Sequence, residues 1–491
     1  MVIAKKELSP LSPHSPLPTL HSPLPHSPTR HSPMPNAQFP NNKKFFVISI
    51  KLVNDYTIKN FQEWRSVSMQ TLQQTTPPHS SSAQSSPFDT DSFDQVVMST
   101  YARFPLALEK GAGCRVWDTQ GRSYLDFVAG IATCTLGHAH PVLVEAVTKQ
   151  IQKLHHVSNL YYIPEQAELA KWIVEHSCSD RAFFCNSGAE ANEAAIKLAR
   201  KYAHTVLHID KPIILTAHAS FHGRTLATVT ATGQPKYQKN FDPLMPGFHY
   251  VPYNDIAAVE AAISELDEGD YRVAAILIEP LQGEGGVRPG DVTYFQKLRK
   301  ICDETGILLI FDEVQVGMGR SGKLWGYENL GVEPDIFTSA KGLGGGIPIG
   351  AMMSKSFCDV FQPGEHASTF GGNPFACGVA LSVCQTLEQE NILQNVQDRG
   401  EQLRDGLKAI ATKYPHIITE VRGWGLINGM ELQADIQLTA GDIVKAAMDE
   451  GLLLVPAGPK VLRFVPPLIV TEKEVEIAML ALEKAIATVT A

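Results

Sequence analysis

Two short apolar runs each end in a residue that can do chemistry. Ile307-Leu-Leu-Ile-Phe leads into Asp312-Glu313-Val314-Gln315, and Asp335-Ile-Phe-Thr-Ser-Ala leads into Lys341, followed by Gly-Leu-Gly-Gly-Gly and Ile-Pro-Ile-Gly350. Runs of this type predict buried strands, and open α/β sheets bind ligands at the carboxyl ends of their strands. The glycines after Lys341 let backbone approach a ligand closely. A lysine and a carboxylate at neighbouring strand ends are what a pyridoxal cofactor requires. The amine forms an imine with the aldehyde, and the carboxylate holds the pyridine nitrogen protonated so that the ring accepts electrons. Taken alone, Asp312 reads as a helix cap and Lys341 as a solvated loop residue; the pairing carries the chemistry.

Such a cofactor also needs its phosphate held. Phe183-Phe-Cys-Asn-Ser187-Gly188-Ala189-Glu190 runs directly into the helical pattern Ala191-Asn-Glu-Ala-Ala-Ile-Lys-Leu-Ala-Arg. Small residues at a strand-to-helix junction expose backbone N–H groups at a helix N-terminus, where the dipole favours an anion. Ser187 with Glu190 also fits a capping box, and one geometry serves both ends. Arg224 in Phe221-His-Gly-Arg-Thr and Arg463 in Leu462-Arg-Phe-Val-Pro-Pro are candidates for carboxylates. A lone arginine defaults to a surface ion pair, but two guanidinium forks together select a dicarboxylate such as 2-oxoglutarate. Glu284 is then a switchable partner for one of them, and Phe221 a candidate to stack on the cofactor ring. Nucleotide motifs fail: Lys341 precedes its glycines, opposite to the P-loop order, and Gly423-Trp-Gly-Leu-Ile-Asn428 has Asn where the dinucleotide fingerprint wants glycine. His138, His140, His155 and His156 lack the spacing that completes a metal site, so no metal is expected.

The elements that must position these residues follow from the pattern. Between about 140 and 375, apolar runs at 182–185, 212–216, 273–278, 307–311 and 335–339 alternate with helical stretches, which predicts a mainly parallel α/β sheet. Amphipathic stretches at 376–412, 441–451 and 472–490 flank short strands near 417–421, 426–431 and 461–465, the pattern of a smaller α+β domain. The expected division is a leader over 1–95, a segment over 96–150 that joins the small domain, a large domain over 151–375 and a small domain over 376–491, with folded sequence beginning near Ser99. His-Ser-Pro recurs at 14, 21, 26 and 31, and proline at that density blocks helix and sheet, so the leader is expected to be disordered. Three readings of it stay open: a transit peptide, a regulatory tail, or sequence preceding a true start at Met69 or Met98. The net charge of −9 argues against nucleic acid or an anionic membrane as main partner. Eight cysteines without a Cys-x-x-Cys pair suit a reducing, cytoplasmic compartment, or an organelle if the leader is a transit peptide.

Eight motifs stand in one order: Gly130-Ile-Ala-Thr-Cys-Thr-Leu-Gly-His-Ala-His-Pro, Asn186-Ser-Gly-Ala-Glu-Ala-Asn, Phe221-His-Gly-Arg-Thr, Glu279-Pro-Leu-Gln-Gly-Glu-Gly-Gly-Val, Leu309-Ile-Phe-Asp-Glu-Val-Gln-Val-Gly-Met-Gly-Arg, Ala340-Lys-Gly-Leu-Gly-Gly-Gly, His366-Ala-Ser-Thr-Phe-Gly-Gly-Asn-Pro and Arg463-Phe-Val-Pro-Pro. In these the chain resembles the class-III, fold-type-I pyridoxal-phosphate aminotransferases, and most closely their acetylornithine branch. The resemblance implies Lys341 as the imine-forming lysine and Asp312 as partner of the ring nitrogen, with Glu313 and Val314 beside it in the cofactor site. It implies Gly188 and Ala189 as phosphate donors, Phe221 stacked on the ring, and Gln315 at the cofactor's 3′ oxygen. It also implies Arg224, Arg463 and Ser368 as substrate contacts, with Glu284 as the switch, and Thr369 as a phosphate ligand given by the second subunit of a homodimer. The implied reaction moves the δ-amino group of N2-acetylornithine to 2-oxoglutarate, in arginine biosynthesis. The ornithine enzymes place a tyrosine in the segment aligned with 130–134, where this chain has none; the acetylornithine branch reads Ala-Val-Asn where this chain has Ala-Thr-Cys. Ornithine, succinylornithine and 4-aminobutyrate therefore remain alternative donors, and a non-catalytic cofactor-binding regulator is the rival from another class.

Overall fold

The computed structural model describes residues 88–490; the expectations for residues 1–87 lie outside the described residues. Ahead of the expected start near Ser99 the chain forms a short exposed helix, Thr90–Val96, because the Asp89 side chain accepts from the N–H groups of Asp91 and Ser92. Strands β1 (Leu108–Ala112), β2 (Arg115–Asp118) and β3 (Ser123–Asp126) then form an antiparallel meander. Gly121 turns the last hairpin at φ 80°, a left-handed conformation that glycine adopts without a Cβ clash.

The site rests on a seven-stranded sheet. Its strands are β4 (Arg181–Cys185), β5 (Pro212–Ala217), β6 (Phe248–Val251), β7 (Arg272–Ile278), β10 (Leu308–Asp312), β11 (Ile336–Ser339) and β12 (Gly350–Ser354). They lie in the order β4-β12-β11-β10-β7-β5-β6. All pairings from β11 to β6 are parallel, whereas β12 runs antiparallel to both β11 and β4. The sequence pattern omits β12 because Gly-Ala-Met-Met-Ser carries no β-branched residue and follows a glycine-rich loop. It omits β6 because Phe-His-Tyr-Val is short and half polar. Central strands such as β7 and β10 are buried along almost their whole length, as a sheet covered on both faces requires. The helix Gly188–Thr205 buries Ala194, Ala195, Leu198 and Ala199 against that sheet.

Between β7 and β10, β8 (Leu281–Gln282) and β9 (Arg288–Pro289) form a small ribbon that carries Glu284 in its turn. The amphipathic stretch 376–412 is two helices, Pro374–Gln389 and Ile392–Lys413, parted at Asn391 with φ 49°. Strands β13 (Ile418–Trp424), β14 (Ile427–Leu432), β16 (Val455–Pro456) and β17 (Val461–Phe464) make an antiparallel sheet under the helices Ile392–Lys413 and Ala440–Asp449, against which the last helix, Glu472–Thr490, packs. Strand β15 (Leu452–Leu453) leaves this region to pair in parallel with β3.

Candidate active site

Strands β10 and β11 are parallel neighbours with Asp312 level with Thr338, so Asp312 and Lys341 leave the sheet at adjacent strand ends. Asp312 is 5% exposed. Its Oδ2 accepts from Asn192 Nδ2 at 2.8 Å and pairs with His222 Nδ1 at 2.8 Å, while Oδ1 accepts from Val314 N at 3.0 Å. Asn192 is itself fixed, accepting from Thr338 Oγ1 at 2.7 Å and donating to the His222 carbonyl at 2.8 Å. The carboxylate can therefore neither rotate nor withdraw.

Ser187 caps the helix Gly188–Thr205, its hydroxyl accepting from Glu190 N at 3.2 Å and donating to Glu190 Oε2 at 2.9 Å. A Cβ on Gly188 would lie 2.7 Å from Val314 Cγ1, so only glycine brings this helix start against the residues that follow Asp312. Its first backbone N–H groups have no intrahelical acceptors, as at any helix start, and form an anion cradle.

Glu279 ties two loops together: Oε2 accepts from Phe221 N at 3.1 Å and Oε1 from Gly283 N at 3.2 Å. Burial, with Asp312 nearby, pushes its carboxyl well above the ordinary range. Phe221 is thus held next to His222, which pairs with Asp312. The Arg224 guanidinium lies 5.4 Å from the Phe221 ring centre and 4.1 Å from that of Tyr237, a cation–π geometry that orients an otherwise exposed side chain.

Arg463, on β17, is 1% exposed. Its Nη1 meets Glu284 Oε1 at 2.5 Å and Gln315 Oε1 at 3.0 Å. Burial works to raise the Glu284 carboxyl, but the charge and hydrogen bond of Arg463 outweigh it and hold the group below its usual value. Lys341 takes φ 42°. Desolvation lowers its amine below 10.5; Glu284 and Asp312 oppose that shift and Arg463 adds to it. Glu284 and Arg463 pair directly, and both, with Asp312, lie near enough to act on the Lys341 amine.

Other residues singled out in the sequence stand differently. Glu313 turns away, its carboxylate accepting from Gly326 N at 2.6 Å and Tyr327 N at 2.7 Å, and burial pushes it up to about 8. Ser368 Oγ accepts from Gly371 N at 2.9 Å and from Asn186 Nδ2 at 3.3 Å, next to the cradle. Thr369 is exposed on the same loop. Thr133 and Cys134 follow a run of four left-handed residues, Ala129 to Ala132. Sequence reasoning missed Asn192, His222, Glu279 and Tyr237 as supports. Asn192 was open to detection as the one amide on the buried alanine face of its helix; nothing in the sequence marks Tyr237. Among the described residues no group of three or more His, Cys, Asp or Glu is placed to hold a metal.

The class-III aminotransferase family model matches residues 96–486. The chain belongs to the class-III aminotransferases. It is 85% identical over 427 residues, 87% of this chain and 100% of the relative, to a Nostoc protein named acetylornithine aminotransferase. The solved structure of N-acetylornithine aminotransferase from Stenotrophomonas maltophilia is 40% identical with TM-score 0.69, covering 79% of this chain and 98% of that one. That of ornithine aminotransferase from Toxoplasma gondii is 34% identical with TM-score 0.78, covering 83% and 96%. Class-III aminotransferases use pyridoxal phosphate, and this site fits it: a glycine-only cradle at a long helix's start, a fixed buried carboxylate and a desolvated amine.

Proposed function

We propose that this class-III aminotransferase moves the δ-amino group of N2-acetylornithine to 2-oxoglutarate, giving N-acetylglutamate 5-semialdehyde and glutamate in arginine biosynthesis. The observation that carries the reading is the buried Arg463–Glu284 pair beside Lys341; the name of the Nostoc relative supports the acetylated donor. Bound pyridoxal phosphate supplies an electron-accepting ring. Lys341 Nζ would hold the cofactor through its aldehyde carbon. Freed by the donor amine, it would act as the base and acid that moves the proton of the amine-bearing carbon. Asp312 would face the ring nitrogen, and the N–H groups of Gly188 and Ala189 would take the phosphate. Arg224, at the rim, takes the donor's carboxylate while Glu284 occupies Arg463. With 2-oxoglutarate, Glu284 withdraws and both arginines grip the dicarboxylate.

Exposed Leu160, Tyr161, Tyr162 and Phe370 lie on two segments joined by Asn159, which donates to the Ser368 and Gly371 carbonyls. This apolar strip beside Thr369 supports a homodimer with composite sites. Among the described residues no helix is long and apolar enough to cross a membrane, and the unpaired cysteines suit the cytoplasm. A donor panel of N2-acetylornithine, N2-succinylornithine, ornithine and 4-aminobutyrate with 2-oxoglutarate tests the substrate. The highest kcat/KM is expected for N2-acetylornithine, and a preference for unacetylated ornithine overturns the reading.

A further inference from the structure

Thr135 joins three pieces of the site that are remote in sequence. Its Oγ1 donates to the Gly342 carbonyl at 2.9 Å, its own carbonyl accepts from Leu468 N at 2.9 Å, and its N–H donates to the Thr133 carbonyl at 2.9 Å. Gly342 directly follows Lys341, and Leu468 closes the run Arg463-Phe-Val-Pro-Pro. Thr135 is 1% exposed, so water does not compete for these bonds.

The platform that presents Thr135 is closed on itself. Asp126 Oδ1 accepts from Val128 N at 2.9 Å and Ala129 N at 2.8 Å, while Oδ2 pairs with His138 Nε2 at 2.8 Å. Backbone bonds between Gly113 and His138, each 2.9 Å, pin the far end to the meander. The left-handed run Ala129 to Ala132 is sterically disfavoured for side-chain-bearing residues and persists only where its surroundings determine it.

On the receiving side, Lys341 is also left-handed, with φ 42°. The turn that it opens is closed from within by Leu343 N to Ala340 O at 2.8 Å and by Gly345 N to Gly342 O at 3.3 Å. The Thr135 hydroxyl is the shorter bond to the Gly342 carbonyl and the one that comes from outside the turn. A Cβ on Gly342 would sit 3.0 Å from Thr135 Oγ1 and 3.2 Å from Met318 Cβ, so the peptide is wedged as well as bonded.

We infer that Thr135 is a positioning residue for the reaction: its hydroxyl fixes the peptide that aims Lys341, and its carbonyl locks that peptide to the segment bearing Arg463. The amine that moves the proton and the guanidinium that grips the carboxylate are thereby set in one frame. The inference rests on Lys341 as the cofactor-bearing lysine.

The test uses the full chain loaded with pyridoxal phosphate and the variants T135V, which keeps shape and loses the hydroxyl, and T135S, which keeps the hydroxyl. Readouts are the pH midpoint of the cofactor–lysine absorbance, together with kcat and KM for N2-acetylornithine and 2-oxoglutarate. T135V is expected to move the midpoint by roughly half a pH unit or more and lower kcat by roughly tenfold, with both KM values changed less than about twofold. T135S is expected to match wild type. A wild-type midpoint and kcat in T135V, or a T135S that fails like T135V, overturns the inference. If T135V does not fold, T135A is read by the same criteria. Wild-type protein without a lysine-linked absorbance would instead remove the underlying reading of Lys341.

Discussion

Replacing Glu284 by glutamine tests the proposed switch, by which one pocket would serve two substrates. Glu284 Oε1 lies 2.5 Å from Arg463 Nη1 and the guanidinium is 1% exposed, so their attraction is poorly screened. Breaking a buried ion pair costs about 3–5 kcal/mol when the remaining charge is stranded. Here Gln315 Oε1 still accepts from Arg463 at 3.0 Å, and E284Q retains a neutral oxygen. The loss is therefore nearer that of one charge-assisted bond, about 1.5–3 kcal/mol. That corresponds to roughly a 10- to 150-fold change in an equilibrium. On the proposed reading 2-oxoglutarate displaces Glu284 to reach Arg463, so E284Q should bind it at least about tenfold more tightly. N2-Acetylornithine, which leaves Arg463 to Glu284, should gain nothing. Stopped-flow spectra of each half-reaction give the two kcat/KM values separately. A ratio between the halves within about threefold of wild type, below the smallest change that the bond supports, would refute the switch.

Further outcomes follow from the same geometry. K341A should lose the lysine-linked absorbance and multiple turnover, and retention of full turnover would exclude the assignment. D312N leaves His222 and Asn192 facing a neutral amide in a dry site; kcat should drop at least about a hundredfold while the absorbance of the lysine linkage remains. R224K loses the planar fork and its stacking on Tyr237, so KM for 2-oxoglutarate should rise by roughly tenfold, and an unchanged KM counts against Arg224. The Lys341 amine is held below 10.5 and attacks only when unprotonated. Capture of pyridoxal phosphate by the apoenzyme should therefore speed up with pH and level off before pH 10.5. Glu284 opposes that lowering, so E284Q should level off at a lower pH still; a rate climbing through pH 10.5 in both would contradict this.

The parts of the site that were legible in the sequence are those whose chemistry is local. Asp312 and Lys341 announce themselves at the ends of apolar runs, and Ser187-Gly-Ala at a helix start. Parallel strands such as β7 and β10 were legible because burial on both faces leaves an unbroken aliphatic run. Residues that act through tertiary contacts were not. His222 meets Asp312 across 90 positions and Thr135 meets Gly342 across 207, and no periodicity encodes such pairs. Glu313 shows the converse: the resemblance set it beside Asp312 in the cofactor site, yet its carboxylate is taken by the N–H groups of Gly326 and Tyr327.

The helix Gly188–Thr205 opens with the anion cradle, and Asn192, four residues on, grips Asp312. A single rigid element therefore joins the proposed phosphate cradle to the carboxylate proposed for the ring nitrogen, with a rise of about 6 Å between the two positions. On that proposal it would work as a gauge for the cofactor's length. One residue inserted between Gly188 and Asn192 would leave the cradle intact but swing the amide by roughly 100° about the helix axis. The chain would then bind phosphate and miss the ring, so the spacing within one turn of helix is under the same chemical constraint as Lys341 itself.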